Sequence, residues 1–300
     1  MICWIQDAPG RDAFGSPPDG WTVRDYPENV AQAADRELVE VVIPEHPGGL
    51  ELEQLPALRM VQTRSAGVDW IIELIPDGVT LCDAGGARDT AMAEWVMAAI
   101  LADYKRARTY AEQQSARRWE HINDLLDVAA ARVLILGYGS IGRAVEERLE
   151  PFGTSFLRVA RRAREGVHSV AELPELLPAA DVIVNLLPLT DQTRGLLGSE
   201  LLGLMRDGAL FVNAGRGKTV HTDGLVAELR ANRIRAVLDV VDPEPLPAEH
   251  PLWTLPSAII SPHCAGDTIG AERAAWRLAG EQLHRYAAGE PLLNIVSDGY

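Results

Sequence analysis

Only three cysteines occur in the 300 residues, Cys3, Cys82 and Cys264, and no two of them form a CxxC pair. That scarcity excludes a disulfide framework and gives no support for a zinc centre, so no metal site is expected and a reducing, cytoplasmic setting is. Long apolar runs are missing too: none reaches the roughly 18 residues that a bilayer span requires. The opening stretch MICWIQDAPG lacks a basic leader, so no signal peptide is expected. Basic residues are in deficit, 28 Lys and Arg against 43 Asp and Glu, for a formal net charge of −15. A chain this acidic repels nucleic acid and anionic membranes unless a basic face is segregated, and neither is expected as a partner. The basic groups that do gather, Lys105–Arg108 and Arg161–Arg164, fit a solvated helix face or a small anion site equally well. Internal repeats and low-complexity tracts are absent from the sequence.

What the chain does have is globular composition, 47% hydrophobic and 24% charged. From about residue 130, short continuous apolar runs alternate with helix-length segments. Strands are expected at Val133–Leu136, Ser155–Ala160, Asp181–Leu187, Ala209–Asn213, Arg235–Val240 and Ala258–Ser261, with helices beginning near Ser140, Val170, Ser199 and Thr222. Such alternation predicts a parallel sheet covered on both faces. The first 88 residues repeat the rhythm more loosely, with strands expected at Ile2–Ile5, Val39–Ile43, Leu58–Thr63 and Val79–Cys82. Residues 90–110 read as one long helix, and 268–288 as another with no obvious place to pack. The expected fold class is therefore α/β, with two doubly wound domains of Rossmann-like or flavodoxin-like type.

One motif names a ligand. In VLILGYGSIGRA, Gly137, Gly139 and Gly142 have the G-x-G-x-x-G spacing between an apolar strand and a helix. Gly137 permits the tight turn, Gly139 lets backbone approach a pyrophosphate, and Gly142 lets the helix pack closely. Ser140 and Ile141, at the helix start, present N–H groups to the anion. An incidental glycine turn is the alternative. An enzyme that reads NAD is expected to end its next strand in an acid, yet FLRVARRAR has Ala160 there, followed by Arg161 and Arg162. Guanidinium groups pair well with a 2′-phosphate, so NADP(H) is the expected cofactor and NAD(H) the alternative.

GYGSIGRA, NLLPLTDQTRGLL, GALFVNAGRG, LDVVDPEPLP and HPLWTLPSAIISPHCAG follow one another in order, with SAGVDWI and TAMAEWVMAAIL before them. Together they resemble the D-isomer-specific 2-hydroxyacid dehydrogenases, in particular the NADPH-dependent glyoxylate/hydroxypyruvate reductases. The resemblance implies a substrate domain of residues 1–88 plus 269–300, interrupted by a dinucleotide-binding domain of 89–268. It also implies a cleft between the domains and a homodimer formed through the cofactor domain. By the same resemblance Arg216 binds the carboxylate of a small anionic 2-oxoacid, Glu244 pairs with His263, and His263 donates the proton. As hydride reaches C2, charge builds on the carbonyl oxygen, and a protonated imidazole within reach quenches it. A carboxylate beside the ring orients it and favours the charged form.

Softer transfers are the loop RSAGVD, where N–H groups at Ala66 and Gly67 hold the substrate anion; Asp239, near the nicotinamide carboxamide; and Pro188, lining the cofactor groove. Packing and turn roles are the alternatives for each. Trp95 stands where the family often has histidine, and Arg88 precedes that helix; either reshapes the pocket, with packing the favoured alternative for Trp95. Trp119 reads as a cleft residue or a dimer contact, and Cys264 as a space-filler beside His263 rather than a nucleophile. Other readings on the same fold are a nucleotide-sensing, corepressor-like interaction protein and a phosphite or formate dehydrogenase. Formate dehydrogenases pair their histidine with glutamine, so Glu244 points toward 2-oxoacids.

Overall fold

Fully buried strands need apolar side chains on both faces, and the sequence supplies them in runs of three to six residues. The computed structural model describes residues 1–6 and 9–297, and no candidate site residue falls among the other five. In chain order the first strands are β1 (Ile2–Ile5), β2 (Thr22–Asp25), β3 (Val39–Ile43), β4 (Met60–Gln62) and β5 (Thr80–Cys82). Helices α1 (Asp89–Tyr104) and α2 (Ala107–Ser115) follow, then β6 (Arg132–Leu136), α3 (Ser140–Leu149), β7 (Ser155–Ala160) and β8 (His168–Ser169). The remainder runs α4 (Leu173–Leu176), β9 (Val182–Asn185), α5 (Ser199–Leu204), β10 (Leu210–Asn213), α6 (Thr222–Arg230), β11 (Arg235–Leu238), β12 (Ala258–Ile260) and α7 (Ile269–Ala288). The chain divides into two compact units, Met1–Asp89 with Asp267–Tyr300, and Thr90–Gly266.

The first unit is a five-stranded parallel sheet in the order β2-β1-β3-β4-β5. Alternation along β1 sends Ile2 and Trp4 to one face, Cys3 and Ile5 to the other. The Cys3 face is covered by α7 through Trp276, Ala279 and Leu283. The sequence encodes both ends of that helix: the Thr268 hydroxyl accepts from the Ala271 N–H at 3.1 Å, and Gly289 closes the C-terminus at φ +68°. Gly280 is required within it, because a Cβ there would lie 2.2 Å from the Phe14 carbonyl oxygen.

The second unit is a seven-stranded parallel sheet, β12-β11-β10-β9-β6-β7-β8. Leu134 and Leu136 pack with Leu173, Leu202 and Leu229 of α4, α5 and α6, while Val133 and Ile135 pack with α1 and α3 through Val96, Ile100 and Val145. Helices therefore cover both faces, as a doubly wound sheet requires. Every strand runs the same way, so the loops after β6, β9, β10, β11 and β12 share one carboxyl edge.

Three expectations need correction. Residues 90–110 do not form one helix: the chain breaks between α1 and α2, where Arg106 takes the left-handed conformation at φ +53°. Strands β2 and β8 carry no continuous apolar run and were not expected. Both lie at sheet edges, where one side needs no partner.

Candidate active site

The glycine turn follows β6 directly. Gly137 has φ +98°, and a Cβ there would lie 2.8 Å from the Leu186 carbonyl carbon. Its N–H and that of Tyr138 both donate to the Val159 carbonyl, each at 2.9 Å. A Cβ at Gly142 would meet the Gly137 carbonyl at 3.1 Å, whereas one at Gly139 would meet nothing within 4 Å. The turn is thus closed behind and open in front, at the N-terminus of the ten-residue α3. Such a cradle fits a dinucleotide pyrophosphate.

Ala160 ends β7, and Arg161 and Arg162 follow it, exposed. Arg164 crosses the turn, its Nη2 donating to the Tyr138 carbonyl at 3.0 Å. Arg164 belongs to the same basic run as Arg161 and Arg162 but is not among the expected site residues. Arg158 lies 5.7 Å over the Tyr138 ring and pairs with Glu146, holding that carboxyl below its ordinary range. Pro188 is exposed, and its carbonyl accepts from Thr193 Oγ1 at 2.6 Å.

His263 lies in the loop after β12, with Nδ1 3.2 Å from Glu244 Oε2; the side chains are 50% and 38% exposed. Its backbone is in the left-handed region at φ +52°, a conformation that costs a non-glycine residue about 1–3 kcal/mol unless its surroundings hold it. Asp239, after β11 and 2% exposed, does the holding. Its carbonyl accepts from the His263 N–H at 2.8 Å. Its Oδ1 accepts from Ser261 Oγ at 2.6 Å and the Cys264 N–H at 2.9 Å, and its Oδ2 from the Ala265 N–H at 2.9 Å. Both oxygens of Asp239 are thus engaged by the histidine loop. Cys264 is exposed rather than filling space, because its N–H faces Asp239 and its side chain turns outward.

Arg216 follows β10, next to β11 in the sheet. Its carbonyl accepts from Thr219 Oγ1 at 2.7 Å. Thr219 Oγ1 accepts in turn from Asn185 Nδ2 at 2.9 Å, and Asn185 also donates to Asn213 Oδ1 at 3.0 Å. All three network side chains are 0–1% exposed. Adjacent Gly217 packs so closely on the segment leading to Glu244 that a Cβ would collide with the Val241 carbonyl. Thr222 Oγ1 donates to the Asp242 carbonyl at 2.8 Å and also holds that segment. The sequence carried no signal for this buried network beyond its polar residue types.

In the first unit, Ala66 and Gly67 lie half-buried after β4. The Gly67 carbonyl accepts from Ser65 Oγ at 2.8 Å and Trp70 Nε1 at 3.1 Å, and the Ser65 carbonyl from the Ala84 N–H at 3.0 Å. Trp95 is partly buried against the α1 and α3 core, and Trp119 is 95% exposed. No cluster of three potential metal ligands occurs among the described residues, and no described helix is long and apolar enough to cross a membrane.

Residues 97–265 match the family model for the D-isomer specific 2-hydroxyacid dehydrogenase, NAD binding domain. Glyoxylate/hydroxypyruvate reductase A of Klebsiella pneumoniae (strain 342) is 33% identical, the match covering 92% of this chain and 90% of that protein. A D-isomer specific 2-hydroxyacid dehydrogenase from Xanthobacter autotrophicus Py2, solved with NADPH and MES, superposes with TM-score 0.86 at 30% identity, covering 99% of this chain and 98% of that one. An NADPH-dependent glyoxylate/hydroxypyruvate reductase from Sinorhizobium meliloti, solved with NADP and sulfate, gives 0.87 at 26% identity with the same coverage.

Proposed function

Since this chain belongs to the D-isomer-specific 2-hydroxyacid dehydrogenases, a family of NAD(P)-dependent oxidoreductases, we propose that it reduces a small 2-oxoacid of the glyoxylate or hydroxypyruvate type to the D-2-hydroxyacid. The observation that carries this reading is the 3.2 Å approach of His263 Nδ1 to Glu244 at the carboxyl edge of the sheet. With Nδ1 turned to the carboxylate, Nε2 is the ring nitrogen that addresses the substrate oxygen. Glu244 holds the ring by Nδ1, and the imidazole gives a proton to that oxygen. Arg216 binds the substrate carboxylate and polarises the carbonyl, on a loop held from behind by Thr219 and Asn185. Residues Met1–Asp89 and Asp267–Tyr300 are the substrate domain in this reading, and the Ala66–Gly67 loop is its anion anchor.

Gly137, Gly139, Ser140, Ile141 and Gly142 would hold the dinucleotide, which would supply the hydride. NADPH is the preferred form: Arg161 and Arg162 stand after Ala160 to meet a 2′-phosphate, and both solved relatives above carry the phosphorylated cofactor. Pro188 lines the cofactor groove. The reading extends to a homodimer formed through the Thr90–Gly266 unit, for which the exposed Trp119 is a natural contact.

Nicotinamide absorbance followed with a panel of 2-oxoacids, with NADH and NADPH in parallel, tests the reading. Turnover is expected with at least one small oxoacid, faster with NADPH and lost in His263→Ala. Silence across the panel, or full activity in His263→Ala, refutes it.

A further inference from the structure

Arg64 is 2% exposed, an expensive place for a guanidinium, and its surroundings are built to hold it. It lies 4.6 Å over the Trp276 ring, pairs with Glu45, and donates from Nη1 to Glu272 Oε2 at 2.6 Å. The other oxygen of Glu272 is taken by Arg88, Nη2 to Oε1 at 2.6 Å. Arg88 also pairs with Asp267 at 2.7 Å and donates from Nε to the Arg64 carbonyl at 3.4 Å. One carboxylate in the first turn of α7 thus bridges two guanidinium groups, and one of them returns to the backbone at the start of the loop.

The placement of these residues gives the network its meaning. Arg64 immediately precedes Ser65, Ala66 and Gly67. Arg88 stands just before the chain leaves this unit at Asp89, and Asp267 is where it returns. Behind the loop, the carbonyls of Arg64, Ser65 and Gly67 are all engaged by donors. Donors on these successive carbonyls fix the shape of the loop that the reading above takes as the anion anchor.

We propose that Arg88, acting through Glu272 and Arg64, is a positioning residue for the 64–67 loop and thereby sets the affinity for the carboxylate of the substrate. The inference rests on the 2-oxoacid reading above. It assigns Arg88 no contact with substrate. Glu272 is the shared link: it keeps the two arginines in one arrangement and ties both chain crossings to the loop.

Arg88→Met removes both ion pairs, and Arg88→Lys restores a single charge. KM for the oxoacid is expected to rise about tenfold or more in Arg88→Met, with KM for NADPH unchanged and kcat affected far less, and to recover partly in Arg88→Lys. Hydrogen exchange at the amides of residues 64–69 is expected to quicken in Arg88→Met, whether or not a substrate is known. Should that variant fail to fold, Glu272→Gln makes the same comparison with less loss of packing. Unchanged exchange at 64–69, or equal rises in both KM values, overturns the inference. A wild-type chain that turns over no 2-oxoacid refutes the functional reading instead, and the exchange comparison still decides whether Arg88 holds the loop.

Discussion

Asp239→Asn is the most informative single change, because the carboxylate accepts three hydrogen bonds in a site only 2% exposed. Asparagine offers one oxygen. Its best orientation keeps Ser261 and Cys264 and turns the amide NH2 toward the Ala265 N–H, donor against donor. Losing one bond to a charged acceptor costs about 1.5–3 kcal/mol. The two that remain lose their charge assistance, about 1 kcal/mol each. The total is about 4 kcal/mol, which for a unit of this size lowers the melting temperature by about 10 °C. The left-handed His263 is released in the same step, so kcat should fall by about tenfold or more while KM for NADPH holds. Circular dichroism melts and steady-state kinetics on the same preparation check both effects. A variant that melts within about 1 °C of the parent and keeps its kcat would show that Asp239 does not hold the histidine loop.

Gly280→Ala places a methyl 2.2 Å from the Phe14 carbonyl oxygen, so the 11–14 turn or α7 must shift. A loss of about 1–3 kcal/mol is expected in urea unfolding, and an unchanged midpoint would refute the close approach. Burial pushes the Cys82 thiol up to about 11 from an ordinary 9.0, and Cys3 is raised by burial as well. A thiol reagent near pH ~8 should therefore label Cys264 alone in the folded protein and all three cysteines in denaturant, as mass spectrometry would show. The unfolded thiols ionise first as pH rises, so their contribution is intact below about 9 and lost as pH climbs through about 11. Melting temperatures that stay flat across that window would contradict the burial of these thiols.

Continuous apolar runs made much of the sheet legible. Ile2–Ile5 and Val39–Ile43 run from end to end as expected, because strands buried on both faces admit little else, and Ser155–Ala160 does so too although most of it is only partly buried. The edge strand Thr22–Asp25 is mostly exposed and polar, so its residues announce nothing. The break at Arg106 was hidden for another reason. No glycine or proline marks it, and it is accompanied by pairing to distant residues, Arg106 to Asp124 and Lys105 to Asp127, each at 2.8 Å. The candidate site divides in the same way. Glycine spacing and the order of motifs drew attention to Gly137, Arg216, Glu244 and His263. The grip of Asp239, the buried Asn185–Asn213–Thr219 network and the reach of Arg164 depend on how separate loops converge, which no local pattern records.

The interruption of the first unit has a consequence for the chain as it is made. The face of its sheet formed by Cys3, Ile5, Val41, Ile43 and Met60 is covered by Trp276, Ala279 and Leu283. All of Thr90–Gly266 is synthesised between that sheet and α7. At ribosomal rates of ~5–20 residues per second, that interval is on the order of 10–30 s. The cofactor unit can close its own core before the helix that seals the first sheet has emerged. During that wait an apolar parallel sheet stands with one side open, the kind of surface that chaperones bind and neighbouring nascent chains adhere to. Vectorial synthesis thus reverses the order of the sequence: the unit begun first is the one completed last.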